Sequence, residues 1–180
     1  MISDDELMKE VAGGSQKAFA QLFDRHSGKV LGYAMRLLGG DQIRAEDISQ
    51  MAWMKVIKAA PSYKGSSSFV AWAYTIVRNT AFNELRAKRR RQEETLTEAV
   101  AESVTVASIE TVISETADVS ALKKRIDELP EMQRAVLVAY MTEELSYDEI
   151  ASQLDISVSS VKSLLFRARQ NLATALKEEA

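Results

Sequence analysis

Apolar residues recur at three- and four-residue intervals along most of the chain, and nowhere do they alternate with period two for long enough to build a sheet. Ser3 followed by Glu6 has the spacing of a capping box and opens a short helix that stops at Gly13-Gly14. Ser15 can cap a second helix carrying Phe19, Leu22, Phe23, Val30, Leu31, Ala34, Leu37 and Leu38, which meets Gly39-Gly40. Asp41 can cap a third, in which Ile48, Ala52, Val56 and Ala59 share one stripe before Pro61 ends it. After a short polar loop, Ser62 to Ser68, the residues Phe69, Trp72, Ala73 and Ile76 open a fourth helix running towards Leu85.

The pattern lapses between Gln92 and Ser120, a stretch rich in Glu, Thr, Ser, Val and Ala with no Lys, Arg or large aromatic to anchor a core. It resumes at Ala121 with Leu122, Ile126 and Leu129. Pro130 then breaks the helix and stands as first residue of the next, which carries Met132, Ala135, Val136, Leu137, Ala139 and Tyr140. A helix pair follows, Ser146 to Leu154 and about Val158 to Lys177, joined by Asp155, Ile156 and Ser157. The expected fold is all-α: two small helical domains, residues 1–91 and 121–180, joined by a flexible acidic linker over 92–120.

Composition narrows the chemistry. An apolar content of 46% in 180 residues is ample for two helical cores. Cysteine is absent and His26 is the single histidine, which removes disulfides, thiol chemistry and the usual zinc sites, so no metal or other cofactor is expected. Carboxylates are scattered over helix faces with no nucleophile–base pairing, and no catalytic residue is expected. The N-terminus is acidic where a signal peptide would be basic, and no run of about 18 apolar residues occurs, which points to a cytoplasmic protein with no membrane insertion. The formal charge of −3 argues against duplex binding by bulk electrostatics. The charge is segregated, however. Arg86, Lys88, Arg89, Arg90 and Arg91 form one basic block, and Lys162, Arg167, Arg169 and Lys177 mark a second basic face.

Three segments carry recognisable patterns. Leu145 to Leu172, LSYDEIASQLDISVSSVKSLLFRARQNL, has helix-turn-helix grammar. Ser146 and Glu149 can form a capping box; Ile150, the small Ala151 and Leu154 face inward, as do Val161, either Leu164 or Leu165, and Ala168. The other side presents Ser159, Ser160, Lys162, Ser163, Phe166, Arg167 and Arg169, a set able to donate to phosphates and base edges; the same spacing would also suit an ordinary solvated helix. Phe69 to Arg91, FVAWAYTIVRNTAFNELRAKRRR, places Tyr74, Arg78, Asn79, Asn83 and Arg86 on a polar side next to the basic block. Amides and cations of this kind can hold single-stranded bases, while Phe69 and Trp72 read as packing residues. Ala45 to Ala59, AEDISQMAWMKVIKA, turns Asp47, Gln50, Trp53, Met54 and Lys58 outward, a composition found at protein interfaces and also in crowded bundles.

Taken in order, AEDISQ, SFVAWAYTIVRNTAFNELR, LPEMQRAVLVAY and LSYDEIASQLDISVSSVKSLLFRARQNL resemble the extracytoplasmic-function sigma factors, and the resemblance covers nearly all of the chain outside the linker. It implies a subunit that binds core RNA polymerase, directs it to minus-35/minus-10 promoter DNA and assists melting. It makes residues 1–91 the family's region two, with Asp47, Gln50, Met51 and Met54 against a coiled-coil of the largest polymerase subunit. Many relatives have Glu where Met51 stands. Tyr63, Lys64, Gly65 and Ser66, with Arg78, Asn79, Asn83 and Arg86, would hold minus-10 bases of the non-template strand; many relatives have Asp at the place of Asn83. Residues 121–180 would be region four and read the minus-35 duplex through Ser159, Ser160, Lys162, Ser163, Phe166, Arg167 and Arg169. Gly is common in relatives at Ser159 and Arg at Leu164. The linker would lie near the template strand and emerging RNA. The resemblance also implies an anti-sigma partner and a monomer when no partner is bound.

Overall fold

A computed structural model describes residues 2–93, 119–143 and 145–177, and among these every regular element is helical. In chain order they are α1 (Asp4–Ala12), α2 (Gln16–Leu38), α3 (Gln42–Ala59), a 3-10 turn (Ala60–Ser62), α4 (Phe69–Glu93), α5 (Val119–Glu128), α6 (Glu131–Glu143), α7 (Tyr147–Leu154) and α8 (Val158–Lys177). The described residues form two compact units, one within residues 2–35 and 41–81, the other within residues 36–40, 82–93, 119–143 and 145–177. The linker expectation falls mostly on residues 94–118, outside the described residues. Its first two residues continue α4 and its last two begin α5.

In the first unit the helix starts follow from the residue types at their caps. Ser3 Oγ accepts from Glu6 N–H at 3.2 Å while the Glu6 carboxylate accepts from Ser3 N–H at 2.8 Å. That pair of bonds satisfies donors that the first turn of α1 would otherwise leave to water. Ser15 Oγ accepts from Ala18 N–H at 3.2 Å, and Asp41 Oδ1 from Arg44 N–H at the same distance. Leu7, Leu22, Tyr33, Ile48 and Phe69 are fully enclosed. Trp53, expected to point outward, is instead only 4% exposed. Phe19, Phe23 and Phe69 surround it with ring centroids at 5.7, 5.1 and 6.1 Å, so the buried face of α3 is wider than its aliphatic stripe. An indole buries a large apolar area, which outweighs its position at the stripe's border. Arg78, expected on the polar side of α4, is 3% exposed and belongs to the interior of this unit.

The second unit is built on α6, whose residues Ala135 to Ala139 are all buried, together with Ile150 and Leu154 of α7 and Val161, Leu165, Ala168 and Leu172 of α8. Pro130 immediately precedes α6, and its carbonyl accepts from Arg134 N–H at 3.0 Å, so it caps the helix where it was expected as the first helical residue. The buried Arg134 guanidinium donates to the carbonyls of Asp127 and Leu129 at 2.9 and 2.7 Å, fastening the turn between α5 and α6. α7 starts on a complete Ser146–Glu149 capping box and ends at Asp155, whose φ of 57° turns the chain left-handed. Ile156 N–H returns to the Ala151 carbonyl at 3.1 Å, and Ser157 Oγ accepts from Ser160 N–H at 3.1 Å to start α8. Ser146→Ala is expected to lower stability by about 1 kcal/mol, the usual worth of such a cap. Urea unfolding followed by circular dichroism measures it, and the slope with denaturant should not change.

Candidate nucleic-acid interface

The turn Asp155-Ile156-Ser157 sets α8 so that one side packs and the other faces out. Val161, Leu165 and Ala168 are completely buried, whereas Ser159, Lys162 and Arg167 are exposed and Ser160, Ser163 and Phe166 are half-buried. Leu164 is half-buried, so the inward residue of the Leu164–Leu165 pair is Leu165. Arg169 does not share the outer face: it is 8% exposed and turned into the unit. At the start of α8 the Ser157 hydroxyl lies 2.9 Å from that of Ser159 and 2.8 Å from that of Ser160. The result is a helix edge with two cations, several hydroxyls and a partly exposed ring. Such a set can contact phosphates and base edges from a major groove.

The basic block at the end of α4 lies in the second unit and is engaged there. Lys88 Nζ contacts Glu131 Oε2 at 2.6 Å, and Arg90 donates to Asp155 Oδ2 at 2.8 Å. The Arg90 guanidinium holds the Asp155 carboxyl below the ordinary carboxylate range. Asn83 is exposed, and its amide oxygen accepts from Arg86 at 2.7 Å, which leaves the amide nitrogen as the end directed to donate.

Within the first unit the loop after the 3-10 turn carries Lys64, Gly65 and Ser66 fully at the surface and Tyr63 half-buried. Gly65 has φ of +64°, a conformation that glycine adopts without strain. The Tyr63 ring stands edge-on to Trp72 at 5.0 Å, and its hydroxyl donates to Asp5 Oδ1 at 2.7 Å. Burial, and then the bond to Asp5, push the Tyr63 phenol up from 10.0 to about 12. Because the folded value is raised, the stability tied to the neutral phenol is complete below pH 10 and lost as pH rises through about 12. A phenolate absorbance titration is expected to show one tyrosine ionising near 12, with Asp5→Ala moving it part of the way back. Asn79, on α4, is exposed.

On α3, Asp47 and Gln50 are exposed, Met51 is 42% and Met54 59% exposed, and Ile57 lies beside them at 45%. Between α2 and α3 runs a groove of about 620 Å³ lined by Phe19, Phe23, Leu31, Gln50, Trp53 and Met54. Met51, Met54 and Ile57 leave an apolar surface beside this groove. Sequence reading missed the cap at Ser157, although Ser157 preceding Ser160 at the start of a helix was a usable signal, and it missed Asp5, for which no local signal exists.

One helical unit bears a helix-turn-helix, the hallmark of a class of DNA-binding proteins, and the other presents the exposed amide of Asn79 and an apolar groove between α2 and α3. Comparison with known proteins makes the class specific. Residues 22–91 match the Sigma-70 region 2 family and residues 120–172 the Sigma-70, region 4 family. RNA polymerase sigma-H factor of Pseudomonas aeruginosa is 32% identical over 184 residues, covering 97% of this chain and 94% of that protein. ECF RNA polymerase sigma-E factor of Escherichia coli K12 is 32% identical over 177 residues, covering 94% and 92%. Among solved structures, the sigma factor RpoE of Bartonella quintana in complex with the anti-sigma factor NepR aligns at a TM-score of 0.52 with 25% identity, over 91% of this chain and 99% of that one. CnrH in complex with the cytosolic domain of CnrY shares the fold at a TM-score of 0.51 and 24% identity, over 98% and 99%. The chain belongs to the extracytoplasmic-function RNA polymerase sigma factors of the sigma-70 family. Among the described residues no helix is long and apolar enough to cross a membrane.

Proposed function

We propose that the chain binds core RNA polymerase in the cytoplasm, reads a minus-35 duplex with α8, and captures unstacked minus-10 bases with the loop 62–68 and α4, without covalent chemistry of its own. The observation that carries the reading is the split of α8, with Val161, Leu165 and Ala168 fully buried and Lys162 and Arg167 exposed on the reverse. Ser159, Ser160, Ser163 and Phe166 complete the duplex-reading side, and Arg169, being enclosed, is left out of it. In the first unit Tyr63, Lys64, Gly65, Ser66 and Asn79 are the base-holding residues, with buried Arg78 excluded; Asn83 and Arg86, in the second unit, are each further candidates to touch minus-10 bases. Asp47, Gln50, Met51 and Met54 supply the polymerase contact, with the neighbouring groove as its apolar part. Melting is favoured because the protein binds the unstacked strand better than the paired one. The acidic average then keeps the free chain's DNA affinity low, and polymerase raises it by aligning both contacts on one template. Free of partners the chain is a monomer, and an anti-sigma protein, of the kind seen with the Bartonella quintana factor, binds it to hold it in reserve.

Runoff transcription from genomic fragments with core polymerase tests the reading: sigma-dependent starts sharing two spaced elements are expected, and no dependent start at all would sink it. Tight binding of the isolated chain to a palindromic duplex would point instead to a polymerase-independent regulator. Lys162→Ala and Arg167→Ala are each expected to weaken minus-35 recognition by about 1–3 kcal/mol, the range for a good base contact. Footprinting of the holoenzyme on a promoter with and without its minus-35 element measures the loss.

A further inference from the structure

α1 lies before the residues matched to the family's region 2, which begin at residue 22, and the reading above gives it no task. Its first turn nevertheless reaches the loop assigned to base capture. Asp5 Oδ1 accepts from the Tyr63 hydroxyl at 2.7 Å across 58 residues of sequence. The same hydroxyl lies 3.3 Å from the Ser67 carbonyl, which takes the lesser share of its one proton, so the phenol is anchored on α1 and sits close to the other end of the loop. A Cβ added to Gly65 would meet the Asp5 carboxylate at 3.4–3.5 Å, which places the tip of the loop directly against that carboxylate. The turn is in turn fixed to α2: Asp4 Oδ1 contacts Arg25 at 3.1 Å, Asp4 Oδ2 contacts His26 Nε2 at 2.8 Å, and Arg25 also donates to the Ile2 carbonyl at 2.8 Å. His26 is 8% exposed and packs on the Phe69 ring at 5.0 Å, so the chain of contacts ends in the core.

We infer that Asp5 is a positioning residue for minus-10 recognition: through Tyr63 it holds the loop 63–67 in its base-receiving shape before DNA arrives. This rests on the reading that the loop captures a base. The physical reason is the ordering cost of a polar, exposed loop, which a pre-set hydrogen bond removes from the binding step. Asp5 touches the loop and not the DNA. Its effect therefore passes through Tyr63, and the two residues should act as one.

The test uses holoenzyme reconstituted from the full chain, and fork-junction DNA from the strongest runoff promoter, with 2-aminopurine placed at each minus-10 position in turn. Asp5→Ala and Tyr63→Phe are each expected to weaken the fluorescence-reported capture by about three- to tenfold, the worth of one hydrogen bond. The double variant should lose no more than either single one. Asp5→Asn, whose amide oxygen still accepts from the phenol, should restore capture, and core polymerase binding should be unchanged throughout. Asp5→Ala capturing like the parent, while the Lys64→Ala/Ser66→Ala variant fails, overturns the inference and leaves base capture by the loop intact. Asp5→Asn as weak as Asp5→Ala also overturns it, since the charge and not the hydrogen bond would then matter. Undiminished capture by the Lys64→Ala/Ser66→Ala variant removes the base-capture reading itself.

Discussion

Truncating Phe69 to alanine is expected to destabilise the first unit by about 3–5 kcal/mol and to lower its melting temperature by more than about 10 °C. The side chain is 2% exposed and joins three elements: its ring meets His26 of α2 at 5.0 Å, Trp53 of α3 at 6.1 Å and Trp72 of α4 at 6.2 Å. Removing it leaves a void among rings that cannot all shift to close it, so the cavity adds to the lost transfer free energy. The loss is large against the roughly 5–15 kcal/mol that holds a small domain together. Function should follow stability here, since Phe69 packs against Trp53, which lines the groove between α2 and α3, and directly follows the loop 62–68 in the chain. Differential scanning calorimetry gives the shift. Ile43→Ser, at a side chain 77% exposed, is the matched control and should stay within about 0.5 kcal/mol of the parent.

The second large effect is expected at Leu165→Ala, with a cost of about 2–5 kcal/mol to the second unit. Leu165 is completely buried with Val161 and Ala168 on the inner side of α8, opposite Ile150 and Leu154 of α7, which are equally enclosed. Shortening it loosens the helix pair whose angle presents Lys162 and Arg167, so minus-35 recognition should fall along with stability. Lys162→Ala separates the two effects: recognition should fall while urea unfolding stays within about 0.5 kcal/mol of the parent. Equal loss of stability in both variants would show that the exposed lysine also supports the fold.

Much of this is legible in the sequence. The starts of α1, α3 and α7 were fixed by Ser3, Asp41 and Ser146, because a side-chain oxygen at that position satisfies donors that no other part of the helix can reach. The outer side of α8 followed from the 100° advance per residue, with Ser159, Lys162 and Arg167 opposite Val161 and Ala168. The family resemblance rested on segments of the same kind, local and contiguous. The errors share a position: Trp53, Arg78 and Arg169 each flank an apolar stripe, at the border between buried and exposed. Periodicity assigns a direction to a side chain, but whether a border position is covered depends on the bulk of the element packed beside it.

The sequence by itself determined where helices begin, which of their sides are apolar, the all-helical class and the family, since all of these depend on residue type at short spacing. Only tertiary structure decided that Leu165 and not Leu164 turns inward, that Trp53, Arg78 and Arg169 are enclosed, and that Asp5 meets Tyr63. Those outcomes depend on which surfaces are brought together by the packing of helices distant in the chain, and no local rule spans the 58 residues between an aspartate and the phenol that donates to it.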